Sequence, residues 1–504
     1  MSSQSITLPH DSNQALEIGR FAIDFISGRN APPSDHVIER LEQFHLDSIA
    51  CAVSAIALDT NAPKVLRAEA LRYQGTAATA TCFGSTVGVA PEKAVVANSA
   101  AVREWDANGT NFGYNPALQA IAGEFGHNDF YPVVIAAAQV ARLDGRQAVL
   151  GMLLLDEIRG RLAEVFSLKD YKIDHVLHGA IASAAVYGAL VGASAAQIES
   201  AIGMLVSHYI PYRAIRAGNQ LSDSKGSSAA ICAEVAVLSV QRSMDGFEGP
   251  RDIFRNPQAL FCLNSPPAGN HSSPFDLTLS TAGDDFAVMG MHFKLGLYEH
   301  QSAGAIQALI DLLDTHPDLF ADPSRLRQIK IAIYQPAFGI ICDPAKRNPQ
   351  TRQSADHSMV YIIAALMNKA HTTGKSGWKE LMLMPADYDS GSLQDPQIRA
   401  LIDKIEVIHG GPQYDEKYPD GIPTSLDVEH HDLGTMSSGL IMYPTGHARN
   451  TRADLDDLLD FKFHRLAALG VSDTSALQSR FTNLSAATVE DIARLNDFEI
   501  LRSP

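Results

Sequence analysis

The chain has 504 residues, too many for one compact hydrophobic core, so two or more domains are expected. Its formal charge of −17 argues against nucleic-acid binding, which needs Lys and Arg to displace counterions. No apolar run approaches the length of a membrane span, and 46 % hydrophobic residues suffice for an ordinary globular interior, so no membrane role is expected.

The N-terminal run Met1-Ser-Ser-Gln-Ser-Ile-Thr-Leu-Pro-His-Asp lacks a basic region, an apolar region and an Arg-rich amphipathic pattern. With scattered cysteines (Cys51, Cys82, Cys232, Cys262, Cys342) and no Cys-x-x-Cys pair, the sequence predicts a cytoplasmic protein with reduced thiols and no metal, cluster or disulfide framework.

The first half reads as successive helices. Val37, Leu41, Phe44 and Cys51 recur at helical spacing, widened by Ile38 and Ile49. Pro91 opens a helix rich in small residues. Asp129 is a candidate cap for a helix through 132–141. Residues 145–166 form a long apolar helix, and Ser194 with Gln197 has the capping-box pattern before Ile198, Ile202 and Leu205. The many Ala, Gly and Ser side chains let helix axes approach closely, which suits a layered bundle.

The pattern changes after the turn-rich run 264–274. Residues 275–279, 286–294, 329–334, 424–429 and 440–443 read as strands; 302–313, 360–367 and 398–405 read as helices. A helical C-terminus begins near Ala453. The expected fold is mainly α: a large all-α helical domain built from both chain ends (1–270 and 446–504) with a smaller α+β lid domain inserted at 271–445.

Several segments carry polar residues suited to chemistry. Arg103-Glu-Trp-Asp-Ala-Asn-Gly-Thr places Asp106, Asn108 and Thr110 just past a helix, where they could be turn residues or ligands. Gly123-Glu-Phe-Gly-His puts His127 before a predicted helix start, close enough in sequence to fold back beside Asp106. His175 and His178 lie at i, i+3, but no further ligand pattern accompanies them, so acid–base chemistry or carboxylate binding fits better than metal. Lys225, in Leu221-Ser-Asp-Ser-Lys-Gly-Ser-Ser, fits an anion ligand; Ser222-x-x-Lys225 lacks the Lys-Thr-Gly and Ser-Asp-Asn companions of an acyl-transfer enzyme. Lys294 ends Phe286-Ala-Val-Met-Gly-Met-His-Phe-Lys. Gly374-Lys-Ser lacks the first glycine of a phosphate loop, and 429–432 reads as a surface charge cluster. Two later stretches concentrate Arg352, Asp356, His357 and Tyr361, and Gly446, His447 and Arg449.

These segments together resemble the MmgE/PrpD family. The carriers are Ala100-Ala-Val-Arg-Glu-Trp-Asp, Lys172-Ile-Asp-His-Val, Ser224-Lys225, Phe293-Lys294, Ala355-Asp-His-Ser-Met-Val-Tyr and Tyr443-Pro-Thr-Gly-His, in this order from about residue 20 to about residue 465. The resemblance implies the same two-part fold, usually as a homodimer, with an active site between the domains and no metal or other cofactor. By position it assigns Asp106, Thr110, His127, His175, Lys225 and Lys294 to the site, followed by His300 or Gln301. The loop after Asp106 departs from the family pattern: a second acidic residue, a Trp and a Pro are missing and a long insert precedes His127, which bears on substrate choice.

The implied reaction is elimination of water from a 2-hydroxy tricarboxylate such as 2-methylcitrate. A base must remove a carbon-bound proton beside a carboxylate, an acid must protonate the leaving hydroxyl, and cations must stabilise the carboxylate. Asp106, His127, His175 and Lys225 are the catalytic candidates, with Asp106 and His127 as the acid–base pair. Thr110, Lys294, His300, His357, Tyr361 and His447 are expected substrate ligands. Decarboxylation of cis-aconitate, an isomerase or epimerase, and tricarboxylate binding without turnover are the alternatives.

Overall fold

A computed structural model describes residues 4–29, 31–75, 79–216, 220–269, 271–342 and 346–502. Met1 to Ser3 of the N-terminal run and Asn270 of the turn-rich run lie outside the described residues.

The protein is mainly α-helical. The core of the first half is a stack of helices with small-residue faces: Asp35–Ala57, Pro91–Arg103, Tyr131–Ala141, Gly145–Val165, Val176–Leu190, Ala195–His208 and Ser228–Met244. Val37, Leu41, Phe44, Ile49 and Cys51 of the first of these are buried, as their spacing requires. The capping box at Ser194 and Gln197 forms as read. Asp129 does not cap its helix. The Tyr131–Ala141 helix starts with Pro132 in its first turn and no side-chain cap, and Asp129 instead accepts a hydrogen bond from Asn108 at 2.5 Å.

After residue 270, a four-stranded sheet forms in the order Gly434–Ser437, Thr424–His430, Leu326–Ile333, Ile405–His409. The last pair is parallel and the others antiparallel. Helices Ala303–Thr315 and Met359–Thr373 accompany it. The expected helix over 398–405 ends at Ile402, and Ile405 begins a strand. Residues 440–443 are not a strand: only Ile441 bridges Thr424, while Gly434–Ser437 supplies the hairpin partner. Nor is 286–294 one. Ala287–Gly290 forms a single 3-10 turn, and the chain beyond it is held by Thr110 and Gly446, to which His292 and Phe293 donate their amides at 2.7 and 2.8 Å. Gly446 has φ +91°, and a Cβ there would lie 2.3 Å from the Phe293 carbonyl oxygen, so this approach needs glycine.

The C-terminal helix Leu455–Ala467 returns to pack on Asp35–Ala57. Its Lys462, fully buried, donates to Asp47 at 2.6 Å and to the carbonyls of Ala107 and Lys294 at 2.6 and 2.7 Å. All three ammonium hydrogens are thereby used, and chain segments far apart in sequence are tied together directly behind Asp106. Among the described residues, no single helix is long and apolar enough to cross a membrane.

Candidate active site

Asp106 is the hub. It sits just past the Pro91–Arg103 helix with φ +51°, a left-handed conformation uncommon for a residue with a side chain and often found where a site constrains the backbone. Its buried carboxylate meets Arg103 at 2.6 Å, Lys294 at 2.6 Å, His357 at 2.8 Å and Lys225 at 3.0 Å. Burial pushes the carboxyl up, but Arg103, Lys225, Lys294 and His357 together outweigh it and hold it well below the usual carboxylate range.

Each partner arrives on its own element. Arg103 ends the preceding helix. Lys225 lies in the one-turn helix Asp223–Gly226, immediately before the long helix Ser228–Met244. Among the described residues its Nζ makes one hydrogen bond, to Asp106. Burial first, then Arg103 and Arg216, lower its pKa to about 7 against the raising effect of Asp106 and Asp356. Lys294 donates to both the Asp106 side chain and its carbonyl. The His357 ring bridges Asp106 and Asp356, and Arg352 braces this from outside with hydrogen bonds to Asp356 at 2.9 Å and Glu104 at 2.7 Å.

The insert after Asp106 forms a hairpin in which Thr110 pairs with His127 and Asn111 with Gly126. That register is what brings His127 beside Asp106 across the long loop. The His127 and His175 rings lie 5.1 Å apart. His175 stands at the N-terminal end of Val176–Leu190, and Asp174 before it is clamped by Arg216. Burial depresses His127, His175 and His300 well below the ordinary histidine value, so these imidazoles rest neutral. Among the described residues, Nδ1 of His127, both ring nitrogens of His175 and His300, and both amide atoms of Gln301 are buried without a hydrogen-bond partner, although Nδ1 of His175 lies 3.2 Å from the Asp174 carboxylate. Buried polar groups are normally satisfied, so such a cluster facing one space marks room for a polar ligand.

That space is a cleft at the meeting of these segments. Arg103, Arg213, Arg216, Lys225 and Lys346 line it against two carboxyls, Asp106 and Glu299, so cations dominate the wall. Phe112, Phe125, Leu221 and Ile340 supply its apolar part. The cleft draws residues from the helical first half and from the region after 298.

Of the residues singled out from sequence, Asp106, Thr110, His127, His175, Lys225, His300, Gln301 and His357 line the cleft. Lys294 does not; it is fully buried behind Asp106, with its ammonium turned to that residue. Tyr361 lies outside the cleft because its hydroxyl donates to the Asp387 carbonyl at 2.7 Å. His447 lines a neighbouring cavity with His292 and Arg449, its ring 4.1 Å from that of His292. His178 is engaged with the Phe166 carbonyl at 3.0 Å. Ser222 is exposed and absent from the cleft lining, Gly374 is a left-handed helix cap, and Glu429 and Asp432 pair on the surface with Arg327 and Arg325. Sequence reading missed Arg213, Arg216, Lys346 and Glu299 as lining residues. Arg213 and Arg216 had a signal: with Lys225 they form a local concentration of cations in an acidic chain.

The profile of the MmgE/PrpD N-terminal domain matches residues 24–268, and that of the C-terminal domain matches 298–485. The chain belongs to the MmgE/PrpD family. Among curated relatives it is similar to the 2-methylcitrate dehydratase of Escherichia coli K12, 23 % identical over 360 residues (68 % of this chain and 70 % of that one). The 2-methylcitrate dehydratase of Salmonella typhimurium is 24 % identical over 327 residues, covering 63 % of this chain and 62 % of the relative. An alkylcitrate dehydratase from a fungal species is 24 % identical over 348 residues, covering 68 % and 64 %.

Proposed function

We propose that the chain is a hydro-lyase of the 2-methylcitrate dehydratase kind, eliminating water from a 2-hydroxy tricarboxylate to leave an unsaturated tricarboxylate. The observation that carries this reading is the pairing of a cationic wall with unpartnered neutral imidazoles in one buried cleft. A substrate with three negative charges satisfies the first, and a carbon-bound proton needs the second.

In this reading Lys225, Arg103, Arg213 and Arg216 hold the carboxylates. Lys225 keeps two of its three N–H groups for the ligand, where charge builds as the carbon–hydrogen bond breaks. His127 or its neighbour His175 takes the proton; a neutral imidazole can accept one, and the substrate carboxylates favour the resulting cation. Asp106, ringed by cations, orients Lys225 and His357 rather than exchanging a proton. Lys294 acts through Asp106, and Thr110, His300 and Gln301 complete the polar wall. The region 271–445 is proposed to serve as a lid, since it brings His300, Gln301, Lys346 and His357 over the helical side.

The test is incubation with 2-methylcitrate, citrate and cis-aconitate separately, with products identified by mass and new C=C absorbance. Loss of one water from 2-methylcitrate or citrate supports the proposal. Carbon dioxide release from cis-aconitate, with no dehydration of either hydroxy acid, replaces it with a decarboxylase.

A further inference from the structure

We propose that Glu299 is the acid that protonates the leaving hydroxyl, an inference that rests on the dehydratase reading above. The Asp106 carboxylate is closed off by Arg103, Lys225, Lys294 and the His357 ring. Glu299, the other carboxyl lining the cleft, forms no ion pair with any Lys, Arg or His among the described residues. One of its oxygens accepts the Gln301 amide at 2.8 Å, which fixes the side chain at the start of the His300–Ser302 turn. Its own amide donates to the Asp356 carbonyl at 2.7 Å, which ties it to the segment that carries His357. Its second oxygen makes no hydrogen bond among the described residues.

A carboxylate so placed in a site for a polyanion would repel the ligand; a carboxylic acid would donate to it. The surroundings favour the acid. Burial pushes the carboxyl up and Asp106 adds to this, against the lowering effect of His357, Lys294 and the Gln301 amide. Tyr334, Tyr418 and Cys342, within its electrostatic reach, are each raised by burial and so add no charge beside it. Arrival of three substrate carboxylates raises it further by like-charge repulsion.

The step balances. The base side, His127 or His175, takes the proton from carbon. The C–H electron pair becomes the new C=C bond as the carbon–oxygen bond breaks. The Glu299 O–H proton goes to the departing oxygen, and water leaves. The imidazolium then returns its proton through solvent, and Glu299 regains one.

Glu299→Gln separates this role from a structural one, because Gln still offers an oxygen to the Gln301 amide. The expected result is a fall in kcat of about 100-fold or more, with KM and thermal midpoint little changed. Glu299→Asp, which keeps an acid, should retain part of the activity and serves as the second variant if Gln disturbs folding. Citrate binding should also take up protons in the wild type, at Lys225 and at the ionised fraction of Glu299, read from calorimetry in buffers of different ionisation enthalpy, and that uptake should be smaller in Glu299→Gln. Undiminished kcat in a folded Glu299→Gln, or undiminished proton uptake, overturns the proposal for Glu299 alone. If the wild type dehydrates no tricarboxylate while proton uptake falls with the substitution, the proton-holding role of Glu299 stands and the dehydratase reading falls.

Discussion

Of the charged clusters buried in this molecule, two make a useful contrast: one is closed on itself, and the other borders a cleft with unpartnered polar atoms. In the first, Arg161 donates to Glu157 at 2.8 Å, to Glu164 at 3.1 Å, to Ser280 at 3.2 Å and to the Asp285 carbonyl at 2.8 Å. Glu157 in turn accepts the amides of Ser280 and Ala287, each at 2.7 Å. The cluster stitches the Gly145–Val165 helix to the Leu277–Ser280 strand and the turn after it. In the second, Asp106 is equally well paired, but the wall around it leaves His127, His175, His300 and Gln301 with buried atoms unpartnered. Buried charge alone is therefore a poor marker of function. Satisfied, it fixes the fold; left partly open around a space, it prepares a site.

The sharpest way to break that contrast is to remove one charge from each side. Arg161→Met strands Glu157 and Glu164 in the interior and should cost about 3–5 kcal/mol of stability, read from denaturant unfolding. The cleft residues lie on other partners, so turnover per folded molecule should change little. A site variant should do the opposite. Lys225→Ala should lower turnover by about 100- to 1000-fold while unfolding near the wild-type midpoint, because Arg103, Lys294 and His357 still pair with Asp106. If Lys225→Ala unfolds like Arg161→Met, the second cluster is structural too. His127→Gln probes the open nitrogen itself and should lower kcat by about 100-fold with KM little changed.

A pH series sharpens the comparison further. Lys225 is depressed to about 7 from an ordinary value of 10.5. Its loss of charge in the free protein should make kcat/KM fall as pH rises through about 7, tenfold per unit, with the limb displaced upward in kcat once substrate carboxylates are bound. The stability sign is the reverse of a salt-bridged lysine. Between about 7 and 10.5 the unfolded chain binds more protons at this position, so the wild type should gain stability relative to Lys225→Met as pH rises across that window.

Much of the helical layout was legible because it rests on local periodicity: the stripe from Val37 to Cys51, the capping box at Ser194 and Gln197, and Pro91 at a helix start all appear where spacing placed them. The strands misread at 286–294 and 440–443 are segments whose partners lie elsewhere in the chain, Thr110 with Gly446 and Thr424 respectively, and no local pattern reports such a partner. The site divides the same way. Asp106, His127, His175 and Lys225 were visible as polar residues at the ends of helical segments, and the resemblance ordered them. That Lys294 turns to Asp106 rather than into the cleft depends on Lys462, 168 residues further on, holding its carbonyl. Glu299 passed unnoticed because one glutamate before a histidine has no signature until the cleft exists around it.

The smallest expected effect tests where the site ends. Tyr361 stood among the sequence candidates in the same short run as His357, yet its hydroxyl is spent on the Asp387 carbonyl, away from the cleft. Tyr361→Phe keeps the buried ring and removes only that donor, which should cost about 0.5–1.5 kcal/mol of stability and leave kcat and KM within about twofold of wild type. The neighbouring His357, whose ring touches Asp106, should not behave this way: His357→Gln should lower turnover at least tenfold while changing stability no more than Tyr361→Phe does. If the two variants lose activity equally, the boundary between cleft and scaffold lies beyond Tyr361. The Met359–Thr373 helix would then present an active-site face and not merely support one.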